Sequence, residues 1–210
     1  MVKKLLTWLI RKYSLFNVVE DLQAAQRISN CNMVCTNHGG TFHSEALIHN
    51  LQNDKLKIEI GKGSHILGEL HVFKYGGEIK IGEYCYIGDH SRIWSAEKIL
   101  IGNNVLISHN VNIMDTNSHE LDSFERANSY KKKIHMGVPS EAGNVKSSAI
   151  IINDNVWVGF NSIILKGVEV GKGAIIAAGS IVLNDVPENV VVAGNPAKVI
   201  KKLTNEAGKN

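Results

Sequence analysis

The chain has 210 residues, which gives room for one sizeable domain with appendages. Its 23 basic and 20 acidic residues leave a formal net charge of +3, which is too small to indicate a nucleic-acid-binding surface. The cysteines Cys31, Cys35 and Cys85 form an odd set without a disulfide framework, so we expect free thiols in a reduced cytoplasm.

The first 57 residues lack the pattern of the rest and predict a helical region. An apolar face with helical spacing is formed by Val2, Leu5, Leu6, Leu9, Tyr13 and Phe16. Basic residues accompany this face, but the apolar run is too short to cross a membrane and no signal-peptide cleavage site follows. We expect residues 2–16 either to pack on the repeat region or on a neighbouring subunit, which we favour, or to contact anionic lipid peripherally at the inner face of the membrane. A second helix is predicted at roughly 18–28.

A six-residue repeat dominates the following part of the chain. A helix cannot keep a period of six on one face, whereas short strands joined by turns can. The aliphatic residues that mark the repeat are Ile60, Ile66, Val72, Ile81, Ile87, Ile93, Ile101, Ile107, Ile113, Ile152, Val158, Ile164, Val170, Ile176 and Val182. We therefore predict a parallel β-helix of about four to five coils over residues 58–187.

The repeat is interrupted at residues 115–147. This stretch contains Gly137, Pro139, Gly143 and a basic triplet at 131–133, a composition that predicts a long loop outside the coils. Long excursions from a rigid repeat usually carry function, so we look for catalytic residues there. A smaller irregularity is expected at residues 97–100, where the step lengthens from six to eight residues.

The C-terminal third carries the most specific pattern. Residues 150–203 read IIINDNVWVGFNSIILKGVEVGKGAIIAAGSIVLNDVPENVVVAGNPAKVIKKL, and AGNPAK falls at 193–198. This run resembles the hexapeptide-repeat acyltransferases, in particular the galactoside, maltose, nodulation-factor and polysaccharide O-acetyltransferases, and the resemblance covers residues 58–203. It implies an all-β solenoid, a left-handed parallel β-helix with three hexapeptides per coil, and a homotrimer with active sites between neighbouring subunits. We expect a helical region at 1–57, an acyltransferase domain at 58–203 and a tail at 204–210.

The resemblance also implies a catalytic histidine. Transfer of an acetyl group to a hydroxyl needs a base that works near neutral pH, which suits histidine. The family places that base at His119, in the segment DTNSHE at the mouth of the interruption. Either Asp115 or Asn117 would then hold the ring in the correct tautomer, and the sequence does not choose between them. The candidates for lining the acceptor pocket are His90, Arg92, Trp94 and His109, which are equally well explained as ordinary exposed residues.

Coenzyme A contacts are likewise implied by the resemblance, at Trp157, Phe160, Ala178, Gly179, Lys198 and Lys201. A groove beside parallel coils offers backbone groups to the pantetheine arm, and lysines near its end can hold the phosphates. Phe160 stands where the family usually has a small or hydroxyl residue, which narrows the expected channel.

Three functions fit these patterns, and none needs a metal, because neither the cysteine pair nor the histidine spacing completes a zinc site. The favoured one is an acetyl-CoA-dependent O-acetyltransferase whose acceptor is a sugar hydroxyl of a surface polysaccharide or its precursor, reacting by direct attack on the thioester. The alternatives are an N-acetyltransferase for an amino sugar or another small amine, and a non-enzymatic β-helix scaffold. The histidine segment and the basic C-terminal coil both argue against the scaffold.

Overall fold

Two helices precede the coils. The computed structural model describes residues 2–12, 14–137 and 139–204, with α1 at Val2–Lys12 and α2 at Leu15–Val34. The predicted apolar face is split between them at Ser14, whose φ is 49°. α1 contacts α2, and none of its residues is buried, so the described part of this face is not buried against the coils. Packing on a neighbouring subunit stays a prediction. Tyr13 lies outside the described residues, as do residues 205–210 of the predicted tail.

No helix among the described residues combines the length and the apolar character needed to span a bilayer.

Eighteen short strands wind into six coils, each of which gives one strand to each of three parallel sheets. The first three coils are β1 (Thr36–Asn37), β2 (Thr41–Phe42), β3 (Leu47–Asn50), β4 (Ile58–Ile60), β5 (His65–Ile66), β6 (Glu69–Val72), β7 (Ile79–Ile81), β8 (Tyr86–Ile87) and β9 (Arg92–Ser95). The next three are β10 (Ile99–Ile101), β11 (Leu106–Ile107), β12 (Asn112–Met114), β13 (Ile150–Ile152), β14 (Trp157–Val158), β15 (Ile163–Leu165), β16 (Glu169–Val170), β17 (Ile175–Ile176) and β18 (Ile181–Val182). A hairpin of β19 (Val190–Gly194) and β20 (Ala197–Lys202) follows, and a short 3-10 helix at Lys55–Lys57 joins the first two coils.

The three sheets define a triangular prism. Sheet A contains β1, β4, β7, β10, β13 and β16; sheet C contains β3, β6, β9, β12, β15 and β18. Sheet B contains β2, β5, β8, β11, β14 and β17, and β19 and β20 extend it. We call the turns that join sheet B to sheet C, among them 88–91, 108–111, 159–162 and 177–180, the B–C corner. The C–A corner is formed by the connections that follow sheet C, among them 73–78, 96–98 and 115–149.

The coils begin earlier than the repeat pattern predicts. β1 pairs in parallel with β4, and Thr36 lies opposite Glu59, so the stack starts at residue 36 instead of 58 and has six coils instead of four to five. The pattern was obscured because an inward position of the first coil is filled by a polar side chain, Asn50. Its amide donates to the carbonyls of Val34 and Asp54, each at 2.8 Å, which satisfies it inside the protein.

The repeat residues form the core, as predicted. All fifteen aliphatic residues that mark the repeat are buried, with no more than 4% of any of them exposed. Side chains of this size stabilise the fold by roughly 1.5–3 kcal/mol each when fully buried. The cysteines are free thiols, all buried, and burial raises the pKa of Cys35 to about 11. Cys85 fills an inward position of the third coil, as expected.

The interruption contains a helix that the sequence interpretation missed. α3 (Ser123–Met136) begins at Asp122, whose carboxylate accepts hydrogen bonds from the backbone N–H groups of Phe124 and Glu125. It ends at Gly137, whose φ of 84° is readily adopted by glycine. The chain returns to the coils through an antiparallel bridge between Thr116 and Ser147. The excursion therefore has the expected limits, but much of it is helix instead of loop.

Candidate functional site

The outer face of sheet B carries an apolar row that ends in lysines. Trp157 lies opposite Ile175 on the next strand, and Ile175 lies opposite Val191. β20 then runs antiparallel to β19, with Lys201 opposite Val191 and Lys198 opposite Ala193. Directly opposed residues share a face, and a β-bulge between these two pairs allows lysines three positions apart to point to the same side. Both lysines are exposed and form no ion pair with any other described residue.

Aromatic residues mark the B–C corner next to this row. The rings of His109 and Phe160 stack with centroids 5.3 Å apart and an interplanar angle of 3°. The indole N–H of Trp157 points toward the hydroxyl of Ser108, at 3.3 Å. On the following coil, the backbone N–H of Gly179 donates to the carbonyl of Phe160 at 2.9 Å. The structure thus gathers Trp157, Phe160, Ala178 and Gly179 at one corner, with Lys198 and Lys201 at the C-terminal end of the same sheet.

The acceptor candidates divide into two places. His90 lies on the B–C corner, one coil before His109, with its ring 3.2 Å from the Asp89 carboxylate. Arg92 follows it, and both residues line an open depression of about 430 Å³ that also contacts Arg27 of α2. Trp94 lies instead at the far end of β9, beside the C–A corner. The predicted acceptor residues therefore do not form one pocket within a chain.

His119 lies on the C–A corner, where the excursion leaves the fourth coil. Its ring is exposed and forms no hydrogen bond within the described part of the chain. Ser118 adopts φ 62° and its backbone N–H donates to the Thr116 hydroxyl at 3.2 Å, which fixes the turn that carries the histidine. β12 lies between this corner and the B–C corner that carries His109. At a rise of about 3.3 Å per residue, the three residues of β12 with one residue on either side span roughly 13 Å. Within one chain, the predicted base and the predicted cofactor residues therefore occupy different corners.

Asp115 does not hold the His119 ring. It is fully buried, and its carboxylate accepts from the Ser95 hydroxyl at 2.6 Å and from the backbone N–H groups of Ala96 and Glu97 at 2.7 and 3.1 Å. These bonds tie the excursion to the irregular turn expected near residues 97–100. The predicted orienting role finds no support at Asp115 within one chain, because these three donors occupy its carboxylate.

Asn117 uses its backbone N–H to bond Lys146 at the base of the excursion, at 3.0 Å, and its side chain has no hydrogen-bond partner in the described ranges. The carboxylate that the sequence interpretation overlooked is Glu120. It accepts from the Ser129 hydroxyl at 2.5 Å, which lowers the pKa of Glu120, and the neighbouring His119 lowers that pKa further. The sequence signal that could have identified Glu120 was its position directly after His119.

Among residues 2–12, 14–137 and 139–204, no three histidine, cysteine, aspartate or glutamate side chains come together as metal ligands would.

Comparisons with known proteins agree with this architecture. The bacterial transferase hexapeptide (six repeats) profile matches residues 149–184. A 2,3,4,5-tetrahydropyridine-2,6-dicarboxylate N-acetyltransferase of Staphylococcus aureus is 52% identical over 77 residues, which cover 35% of this chain and 32% of that protein. The chain thus spans about a third of the length of the curated relatives it matches.

Two solved structures extend the likeness to the whole coil stack. AntD, an N-acyltransferase from Bacillus cereus in complex with dTDP and 3-hydroxybutyryl-CoA, superposes with a TM-score of 0.65 at 18% identity, covering 87% of this chain and 89% of that one. The polySia specific acetyltransferase NeuO superposes with a TM-score of 0.54 at 28% identity, covering 77% of this chain and 64% of that one. The predicted left-handed parallel β-helix is confirmed, and the chain is similar to hexapeptide-repeat acyltransferases in its repeat and in its coil stack.

Proposed function

We propose that the protein is an acetyl-CoA-dependent O-acetyltransferase whose acceptor is a sugar hydroxyl of a surface polysaccharide or its precursor. The observation that carries this proposal is the outer row of sheet B, which runs from Trp157 at the B–C corner to Lys201. An apolar strip that ends in unpaired cations suits the pantetheine arm and the phosphates of coenzyme A. The similarity to NeuO, at 28% identity, supports a saccharide acceptor.

His119 would act as the general base. Its ring would take the proton from the acceptor hydroxyl while that oxygen attacks the thioester carbonyl. The tetrahedral intermediate then collapses, the bond between the acyl carbon and sulfur breaks, and coenzyme A leaves as a thiolate that takes up the proton. The exposed position of His119, without a hydrogen-bond partner in the described chain, leaves both ring nitrogens available for this transfer.

The proposed site would need a second copy of the chain. His119 belongs to the C–A corner and Phe160 to the B–C corner, so a complete site would form where these corners of neighbouring subunits face each other in a homotrimer. The prism shape supports this arrangement, because identical copies around a three-fold axis place unlike corners together in a heterologous interface.

The activity is tested by release of free thiol from acetyl-CoA with a panel of oligosaccharide acceptors, which include oligomers of sialic acid. Transfer to at least one sugar, absent without acceptor, is the expected result. Failure to release thiol with every acceptor, in a preparation that binds coenzyme A, would count against the enzyme and favour the scaffold alternative.

The shared site is tested by complementation. The His119→Ala chain and the Lys198→Ala/Lys201→Ala chain are co-expressed with different tags and assayed at acetyl-CoA far below its KM. Random mixing gives about a quarter of the sites an intact His119 from one chain and intact lysines from the next. Activity above that of either variant alone is expected. If mixed trimers are no more active than the separate variants, the site lies within one chain.

An N-acetyltransferase is the second candidate, favoured by the 52% identity to an N-acetyltransferase over 77 residues. The product distinguishes the two reactions, because alkaline hydroxylamine cleaves an O-acetyl ester and leaves an N-acetyl amide intact. Loss of the acetyl group after this treatment supports O-transfer, and its retention supports N-transfer.

A further inference from the structure

An aromatic cluster lies on the outer face of sheet C beside the C–A corner. His71 of β6 lies opposite Trp94 of β9, and their ring centroids are 5.2 Å apart. Phe73 packs at 4.7 Å from His71 and meets Trp94 edge-on at 6.3 Å. Tyr75 stacks on Phe73 at 5.3 Å with only 12° between the ring planes. We call His71, Phe73, Tyr75 and Trp94 the aromatic platform.

The coil fold does not need this platform. Its members stand at outward positions or in the turn that follows them, and each is only half-buried. The equivalent outward positions of sheet A hold Glu59 and Lys80, which form an ion pair at 2.9 Å. Charged residues therefore satisfy a coil at such positions, whereas four neighbouring aromatic rings leave apolar surface partly in water.

The backbone holds the platform rigidly. The backbone N–H of Phe73 donates to the carbonyl of Ser95 at 3.1 Å, and that of Gly76 donates back to the carbonyl of Phe73 at 3.3 Å. Gly77 continues this turn with φ 114°, a conformation that side-chain-bearing residues rarely adopt. The rings are thus set in place before any ligand arrives, which lowers the entropic cost of binding.

Two polar atoms within the platform lack a partner. His71 Nε2 and Trp94 Nε1 are buried and form no hydrogen bond with the described residues. A buried indole N–H usually finds an acceptor, and its absence has a cost in free energy. The cluster therefore carries a cost in free energy that the coil fold alone does not explain.

The platform adjoins the segment that carries His119. The backbone N–H of Asp115 donates to the carbonyl of Trp94 at 3.4 Å, and Met114 lies opposite Trp94 on the next strand. Glu120 immediately follows His119 in the chain. A molecule lying on the platform would therefore have one end beside the base.

We infer that the aromatic platform binds a sugar ring of the acceptor. Saccharides present an apolar C–H face that packs on aromatic rings, which suits the partly exposed rings of the platform. This inference rests on the proposed function, since it assigns the acceptor a place beside His119.

Binding is measured first without acetyl-CoA, so that the result does not depend on catalysis. The probes are oligomers of sialic acid, oligomers of N-acetylglucosamine and simple galactosides, followed by saturation-transfer NMR and titration calorimetry. At least one probe should bind the wild-type protein, and Phe73→Ala and Trp94→Ala should each weaken binding at least about tenfold, as expected for loss of a stacked ring. Trp94→Phe, which keeps the ring but removes the N–H, should lie between them and the wild type.

Tyr84→Asn is the matched control, because Tyr84 is an exposed aromatic residue on the coil that carries Trp94 but at a different corner. Its φ of 55° is a conformation that asparagine tolerates. It should bind as the wild type does. Thermal melting of each variant separates lost binding from lost folding. If no probe binds, if the platform variants bind as the wild type does, or if they separate the subunits instead, the platform is not a sugar site.

Different results would contradict the sugar-binding platform and the proposed enzymatic function. Sugar binding that depends on the platform without acetyl transfer would leave the platform standing and remove the enzyme assignment. Acetyl transfer with an unchanged acceptor KM in Phe73→Ala would keep the enzyme and remove the platform.

Discussion

The imidazole of His109 and the phenyl ring of Phe160 lie nearly parallel, with 3° between their planes and 5.3 Å between their centroids. The two residues come from successive coils but from opposite sides of the excursion in sequence. The stack lies on the B–C corner, beside the row that we propose for coenzyme A. If the acyl group of the donor reaches this corner, the ring of Phe160 would leave room only for a short chain.

Phe160→Ser should therefore widen the acyl preference. We expect the ratio of kcat/KM for butyryl-CoA to that for acetyl-CoA to rise by about tenfold or more, since each methylene in a pocket is worth about 10- to 200-fold. Parallel thiol-release assays with both donors measure the ratio. An unchanged ratio, with the fold intact, would show that Phe160 does not border the acyl group.

His119→Ala should lower kcat by about two to four orders of magnitude, the usual effect of removing a general base. The KM for acetyl-CoA should change little, because the imidazole would act on the acceptor hydroxyl. His38→Ala is the control, since that ring is also exposed but lies on the first coil, 3.7 Å from Glu59. Equal losses in both variants would indicate a general defect and not a lost base.

Lys198→Ala with Lys201→Ala should raise the KM for acetyl-CoA and weaken its dependence on ionic strength, because exposed charge pairs are screened by salt. Lys202→Ala tests the geometry on the same strand, since Lys202 lies opposite the inward residue Val190 and not in the outer row. We expect Lys202→Ala to have a clearly smaller effect. If all three lysines contribute equally to the KM for acetyl-CoA, the total charge of the hairpin matters more than the side of the strand on which each lysine lies.

Asp115→Asn should act on stability. The carboxylate accepts three hydrogen bonds inside the protein, and buried donors left without an acceptor cost about 1–3 kcal/mol each. We expect the free energy of unfolding in urea to fall by about 2–4 kcal/mol, since the amide retains part of the network. The pH profile of kcat in the folded variant should match that of the wild type. A shifted profile would restore Asp115 as the partner of His119.

His71 should make stability depend on pH. Burial lowers the pKa of His71, the nearby His49 lowers it further, and Glu69 partly opposes this. A depressed pKa means that the unfolded chain binds the proton more readily, so this contribution is complete above the ordinary pKa of about 6.5 and declines as pH falls below it. His71→Phe keeps a ring but cannot titrate. Between pH 7.5 and 5.5, the wild type should lose more unfolding free energy than His71→Phe, as measured by urea titration.

Much of the fold follows from spacing, because a buried aliphatic side chain recurs every six residues along the coils. The spacing did not predict the first coil, because Asn50 fills an inward position there. Its acceptors are the carbonyls of Val34 and Asp54, which are contacts that a repeat pattern cannot reveal. α3 was not predicted for a different reason. The glycines and the proline near its end suggested a loop, while the cap at Asp122 was the local signal for a helix.

The candidate site was less accessible from sequence. The motif around His119 identified a residue but not its surroundings, and spacing cannot show that Asp115 turns inward to hold Ser95. Nor can it show that β12 separates His119 from His109. Trp94 was proposed for its residue type alone, and only the register of β6 with β9 unites it with His71.

The bulge in β20 also bears on the tendency of the protein to aggregate at high concentration. β20 is the edge of sheet B, and an edge strand with unpaired backbone groups is a template for pairing with another chain. Lysines on the edge and an irregular register both disfavour such pairing. We therefore expect the hairpin that presents Lys198 and Lys201 to keep the ends of two coil stacks from joining, and the double lysine variant to form fibrous or insoluble aggregates at lower concentration than the wild type.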